Sequence, residues 1–188
     1  MTGHRVDYVG GENTVFFSDS KKIKISSNPQ LFAKALYYVG PFQNTGPVPP
    51  KVDRETTYTI NWTITNPLNN LSNVQVSATL PPYVKWLGVV SPDKEKVDYK
   101  ADTGLVTWNV GSISAGAGSV SSAREVSFQV TLVPGVEQIE TVPKLTSGIS
   151  LSGKDNFTLT TVSNSFSALD TLLSSDPYFK VDSDKVIQ

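Results

Sequence analysis

Side chains able to do chemistry are few, and the best grouped are carboxylates. Asp93, Glu95, Asp98 and Asp102 fall within ten residues of one another. As oxygen donors they are the candidate metal ligands, and calcium, which takes six to eight oxygens at about 2.3–2.6 Å, is the cofactor to consider. The stretch does not match the D-x-[DN]-x-[DN]-G loop, and Lys94, Lys96 and Lys100 interleave with the acids. A self-neutralised, solvated hairpin is the competing reading. Aromatic stacking on a sugar is the second chemistry. Tyr37, Tyr38 and Tyr83 are the candidate ligand-binding residues, with Tyr178-Phe179 beside them, because adjacent aromatics on a strand cannot all face inward. Trp62 and Trp108 alternate with apolar neighbours and Trp86 shares a face with Val84, so all three read as core.

Nucleophilic chemistry finds little support. Cysteine is absent, and the single histidine, His4, stands beside the N-terminus. That removes thiol catalysis, cysteine-ligated zinc and disulfide scaffolds, and with one histidine Ser-His-Asp catalysis is close to excluded. Two S-x-x-K matches, Ser18-Asp19-Ser20-Lys21 and Ser91-Pro92-Asp93-Lys94, lie in strand-flanking loops and lack the companion motifs of serine acyltransferases. No catalytic residue is assigned. Asn61, Asn70 and Asn156 open N-glycosylation sequons, and all three read as exposed.

The elements that must position these residues are strands. Tyr58-Thr59-Ile60-Asn61-Trp62-Thr63-Ile64-Thr65 alternates apolar and polar side chains without a break, the mark of a strand with one buried face. The same period runs through Val74 to Leu80, Val106 to Val110 and Val126 to Leu132, and recurs at Ile149-Ser150-Leu151 and Phe157-Thr158-Leu159. Turn chemistry falls between the runs. Asn66-Pro67-Leu68-Asn69-Asn70 follows the first, Pro81-Pro82 ends the second, and Ala101-Asp102-Thr103-Gly104 separates two strands of a hairpin, with Gly104 able to take positive φ. Gly153-Lys154-Asp155-Asn156 marks a further turn. Short strands with one apolar face bury those faces most simply against a second sheet. The fold class is therefore all-β, an immunoglobulin-like antiparallel sandwich of about seven to nine strands.

A helical face shows only over Phe166 to Leu173, and one short helix is predicted there, capped by Asn164 or Ser165. Residues 1–50 read as an N-terminal extension with early strands, Leu31 to Val39 among them, and a Pro-rich connector. Residues 51–163 read as the sandwich, and 164–188 as a C-terminal extension with the short helix and an edge strand at Tyr178-Phe179-Lys180-Val181. Whether the early strands join the sandwich is open at this point.

Several of these residues form a known pattern. Thr57-Tyr58-Thr59-Ile60 leading to Thr65-Asn66-Pro67, then Leu80-Pro81-Pro82, then Leu105-Val106-Thr107-Trp108-Asn109-Val110-Gly111-Ser112-Ile113 and Gly116, resemble the conserved-repeat immunoglobulin-like domain of unknown function in bacterial and archaeal cell-surface proteins. The resemblance covers roughly residues 52–133 and is weaker to 163. Pro67 replaces the small residue usual after the Asn, and Ser114 to Ser122 is longer and glycine-rich. The resemblance implies an extracellular or cell-surface location and a non-catalytic structural or adhesive role. It carries no catalytic residues. It also raises the Lys–Asn isopeptide cross-link of some surface sandwiches, with Lys24 or Lys34 and Asn156 or Asn164 as the partners to check.

Charge and hydropathy restrict the partners. Lys+Arg 16 against Asp+Glu 17 leaves a net charge of −1, without the basic stripe that nucleic acid or a polybasic membrane surface requires. No apolar run approaches the ~20 residues needed to span a bilayer, and Met1 to Ser20 holds no basic n-region followed by an apolar core. The expected partners are neighbouring domains of a longer surface protein or copies of the same chain. Alternatives to a passive module are a filament or surface-layer subunit that assembles by strand addition, through Val15-Phe16-Phe17 or Ile23-Lys24-Ile25, and a carbohydrate-binding module.

Overall fold

All but one of the alternating runs become strands in the computed structural model, which describes residues 19–188. The exception is Phe157-Thr158-Leu159. The turn expected at Gly153 to Asn156 falls later, at Asn156 to Thr158, because the Asp155 carboxylate gathers the Phe157 and Thr158 N–H groups. Gly153 to Asp155 stay in the strand. The elements are β1 (Gln30–Leu36), β2 (Thr56–Thr65), β3 (Leu71–Thr79), β4 (Val84–Ser91), β5 (Val97–Lys100), β6 (Leu105–Ile113), β7 (Arg124–Leu132), β8 (Ile149–Asp155) and β9 (Thr161–Phe166). They pair antiparallel into a four-stranded sheet, β1-β2-β7-β4, and a five-stranded sheet, β5-β6-β3-β8-β9. This is an immunoglobulin-like sandwich. Its period-two faces meet in one core, where Ile60, Trp62, Ile64, Val126, Phe128 and Val130 of the first sheet face Val76, Val106, Trp108 and Leu151 of the second, all at most 1% exposed. Trp62 and Phe128 pack edge-to-face with ring centroids 4.9 Å apart, the arrangement favoured by the ring quadrupole. Val15-Phe16-Phe17 and His4 lie outside the described residues.

The sandwich is wider than residues 51–163. β1 pairs with β2 over seven positions, Gln30↔Thr65 through Leu36↔Thr59, so residues before 50 supply a full strand of the first sheet. At the other end β9 pairs with β8 as far as Phe166. Lys22 to Ser26 forms no ladder; Ile23 and Ile25 are exposed.

Two C-terminal expectations are corrected. No helix forms over Phe166 to Leu173. Leu169, Thr171 and Leu173 are buried while Leu172 is exposed, so the side chains that matter repeat every two residues. The Leu145 and Thr146 N–H groups both donate to the Leu169 carbonyl, at 2.7 and 3.2 Å. An eight-residue stretch is too short to hold a helix by itself, and pairing with residues 143–146 decides its conformation. Tyr178 to Val181 likewise folds into turns rather than an edge strand. Among the described residues the only helical turn is the 3-10 segment Val136–Gln138.

Strand polarity defines two poles. Gln30, Thr65, Leu71, Ile113, Arg124 and Asp155 lie at the upper one; Leu36, Thr56, Thr79, Leu105, Leu132 and Ile149 lie toward the lower. The Gly104 turn sits at the lower pole as expected, with φ +67. The chain reaches β1 at the upper pole through Ser27. Ile187 ends at the lower pole, where its N–H donates to the Pro50 carbonyl and its own carbonyl accepts from Val52.

Candidate functional site: two carboxylate clasps on the first strand

Asp155 closes β8 at the upper pole with no exposed surface. Its Oδ2 accepts hydrogen bonds from the Ser27 N–H at 2.7 Å and the Asn69 side-chain amide at 2.9 Å. Its Oδ1 accepts from the N–H groups of Phe157 and Thr158, at 2.8 and 2.9 Å. An Asp that gathers the amides of a following turn is ordinary turn chemistry. The Ser27 bond is not local, since 128 residues separate the partners. Burial alone would raise the carboxyl's pKa. The bonds from Ser27, Asn69, Thr158 and Phe157 outweigh burial and hold it well below the usual carboxylate range. Around this bond the incoming segment is tied down further. Asn69 also donates to the Ile25 carbonyl at 2.8 Å, Lys24 Nζ to the Phe157 carbonyl at 3.1 Å, and Ser26 Oγ to Thr158 Oγ1 at 3.0 Å. Ser27 Oγ bonds the buried Asn66 side chain, whose amide holds the Asn69 and Ser114 carbonyls.

Asp176 does the same at the other end of β1. It is buried, and its Oδ2 accepts from the N–H groups of both Tyr37 and Tyr38 at 2.8 Å, while Oδ1 accepts from Tyr178 N–H at 3.1 Å. β1 is an edge strand of its sheet. The residues before and after it are each fixed by a buried carboxylate from a distant part of the chain. Neither Asp was singled out in the sequence. Asp155 carried a turn signal in Gly153-Lys154-Asp155-Asn156; Asp176 carried none beyond the Pro177 that follows it.

The candidate metal ligands do not converge. Glu95 is buried, and its Oε2 accepts from Trp108 Nε1 at 2.9 Å and from the Arg124 guanidinium at 3.0 Å. Asp98 Oδ2 accepts from Asn109 at 2.6 Å, and Asp93 and Asp102 are exposed on separate loops. Among the described residues no three His, Asp or Glu side chains gather at a metal-sized site. Glu95 and Arg124 instead line a polar hollow of about 390 Å³ together with Pro92, Lys94 and Glu125.

The candidate aromatics are also dispersed. Tyr37 is half-buried, donates its hydroxyl to the Gly46 carbonyl at 2.6 Å and packs edge-on to Tyr38 and Tyr58. Burial, with Tyr38 adding to it, raises the Tyr37 pKa. Tyr83 precedes β4 at the far edge of the same sheet, three strand spacings or about 14 Å away, so the three tyrosines make no shared platform. The aromatic stack that does form joins Trp86 to Tyr99, 5.8 Å apart, across the open side of the sandwich.

For the cross-link partners, Asn156 accepts from Ser72 at 2.7 Å and Asn164 donates to the Pro29 carbonyl at 2.9 Å. Lys24 lies over the Phe157 ring, and Lys34 stands opposite Asn61 of β2. Asn61 itself is buried, contrary to the exposed sequon expected, because it donates to Glu125 and Ser127 of the neighbouring strand.

No family model matches the chain, and no curated protein matches it. Among solved structures it is similar to BcpA, the major pilin subunit of Bacillus cereus, at 12% identity and a TM-score of 0.43, covering 76% of this chain and 39% of that one. It is also similar to the full-length major pilin SpaD from Corynebacterium diphtheriae, at 14% identity and a TM-score of 0.44, over 77% of this chain and 34% of that one. A third is the RrgA Jo.In complex, at 10% identity and a TM-score of 0.42, over 79% and 86% of the two chains. This chain thus spans about two fifths or less of the two pilins' length.

Proposed function

We propose that this chain is a non-catalytic structural module of a bacterial cell-surface protein that holds its neighbours apart and carries tension along its long axis. The observation that supports this reading is the double clasp on β1. Ser27 is held by Asp155 at the upper pole, and Ile187 is held by Pro50 and Val52 at the lower. Tension between those points pulls β1 along its own direction. Its seven paired positions with β2 are then loaded together rather than one after another. The buried acids fit the same role: Asp155 and Asp176 hold backbone amides, and Glu95 holds an indole and a guanidinium.

Single-molecule extension of the 188-residue chain, with handles at Ser20 and Gln188, tests the reading. The expected trace stays folded to a high force and then gives way in one step that releases roughly 60 nm of contour. Gradual yielding at low force would overturn it.

A further inference from the structure

The two sheets end in four edge strands, β1 and β4 of the first and β5 and β9 of the second. An edge carries a row of N–H and C=O groups with which another chain can pair. Three of the four are blunted by their surroundings. β1 and β9 lie against each other on one side of the sandwich, where the Asn164 side chain donates to the Pro29 carbonyl. Phe166 to Leu172 borders Ala33 to Ala35 of β1, and Asp176 takes the Tyr37 and Tyr38 N–H groups just beyond it. β5 is four residues long, with Asp98 and Lys100 exposed.

β4 has none of these protections. It runs for eight residues, Val84-Lys85-Trp86-Leu87-Gly88-Val89-Val90-Ser91, and among the described residues it pairs only with β7. Val, Trp and Leu dominate it, and its one charged residue, Lys85, has the Glu55 carboxylate 3.6 Å away. High β-propensity, little charge and no proline make a segment prone to pair with copies of itself.

What β4 has instead is an irregularity. Trp86 stands opposite Val130 and Val90 opposite Phe128, so Leu87-Gly88-Val89 fills the place that Gln129 alone fills on β7. Gly88 turns this arch at φ +75, which favours glycine. A Cβ there would meet only the Trp86 indole nitrogen, at 3.9 Å, so the arch stands clear of the body. Leu87 and Val89 are 39% and 43% exposed. Pairing with β7 does not require the arch. With two of its three residues removed, Trp86 and Val90 would stand two positions apart instead of four, still on one face of the strand. All five pairings, Val84↔Leu132 to Ser91↔Ser127, would survive.

We propose that the Leu87-Gly88-Val89 arch guards the edge of β4, and that without it β4 pairs antiparallel with β4 of a second copy. The arch lifts the middle of the strand out of line, so a ladder along this edge is broken at its centre. A straightened β4 presents the same groups on both copies, and an antiparallel contact between them is self-complementary and closes at a dimer. The inference goes beyond the mechanical reading and does not depend on it, since it concerns what keeps like modules from pairing side by side.

Deletion of Leu87 and Gly88 from the 188-residue chain tests this, with deletion of Gly88 and Val89 as a second variant. Sedimentation velocity over a wide concentration range reads the mass, and amide exchange over residues 84–91 reads the edge. A folded deletion variant is expected to double in average mass and level there, with β4 exchange slowing as the dimer forms. In the wild type, β4 exchange is expected to be the same at every concentration.

Folded deletion variants that stay monomeric would overturn the proposal. So would association that leaves β4 exchange unchanged, or wild-type exchange over β4 that slows with concentration. Failure of both deletions to fold would overturn it as well, by showing that the arch serves the sandwich itself. None of these outcomes bears on axial extension, so the guard and the mechanical reading fail separately.

Discussion

Replacing Asp155 with Ala removes the acceptor for four donors at once, and their surroundings set the cost. Ser27 is buried, so its N–H loses its partner where water cannot readily replace it, at about 1–3 kcal/mol. Asn69 keeps the Ile25 carbonyl and loses only part of its bonding. The Phe157 and Thr158 amides belong to an accessible turn and can be rehydrated, at about 0.5–1 kcal/mol each. The expected total is about 3–4 kcal/mol. Urea unfolding followed by tryptophan fluorescence reads it, because Trp62 and Trp108 are fully buried. The midpoint should fall with the m-value unchanged, and the melting temperature should fall by roughly 6–16 °C. Loss of the clasp should also raise amide exchange over residues 21–29 before the sandwich opens. A loss of less than about 1 kcal/mol, or exchange in that segment no faster than in the wild type, would refute the clasp.

Other outcomes follow from the same contacts. The folded-state pKa of Asp155 is depressed, so its contribution is complete above the unfolded value of about 3.9 and is lost as pH falls further toward the folded value. Denaturation midpoints of wild type and Asp155→Asn should therefore converge below about pH 4 and stay parallel from pH 5 to 7. Gly104→Ala places a Cβ 2.7 Å from the Leu80 carbonyl oxygen at φ +67, and should cost about 1–3 kcal/mol by thermal melting. Glu95→Ala leaves the Trp108 indole and Arg124 guanidinium without their acceptor; with Arg124 partly exposed, a loss of about 2 kcal/mol is expected in the same assay. Calcium at millimolar excess, or a chelator, should leave the melting temperature unchanged, since Glu95 and Asp98 are held by other partners.

Most strands were legible because half-buried runs alternate at period two, and Tyr58 to Thr65 became the centre of β2 with Ile60, Trp62 and Ile64 all buried. β4 carried no such signal, since its side chains do not alternate in burial, and Phe157-Thr158-Leu159 alternates yet forms a turn. β1 was harder to place. Its apolar positions, Leu31, Ala33 and Ala35, alternate, but whether a strand before a Pro-rich connector joins the sheet depends on a partner far along the chain. The missing helix has the opposite cause. Leu169, Leu172 and Leu173 satisfy a helical period locally, while pairing of Leu169 with Leu145 and Thr146 selects the extended form. The clasps were least legible, because a turn aspartate and a carboxylate that holds a strand 128 residues away look the same in sequence.

If β1 takes axial tension as a strand loaded in shear, the unfolding force depends on the direction of pull. Handles at Ser20 and Gln188 load the seven β1–β2 positions together. Handles at Ser20 and Leu68, on the two segments that meet at the Leu68–Ser27 bond, load them one at a time from the Gln30↔Thr65 end. The expected result is a markedly higher unfolding force along the long axis than across the pole, with the difference reduced in Asp155→Ala. Equal forces in the two directions would contradict the account.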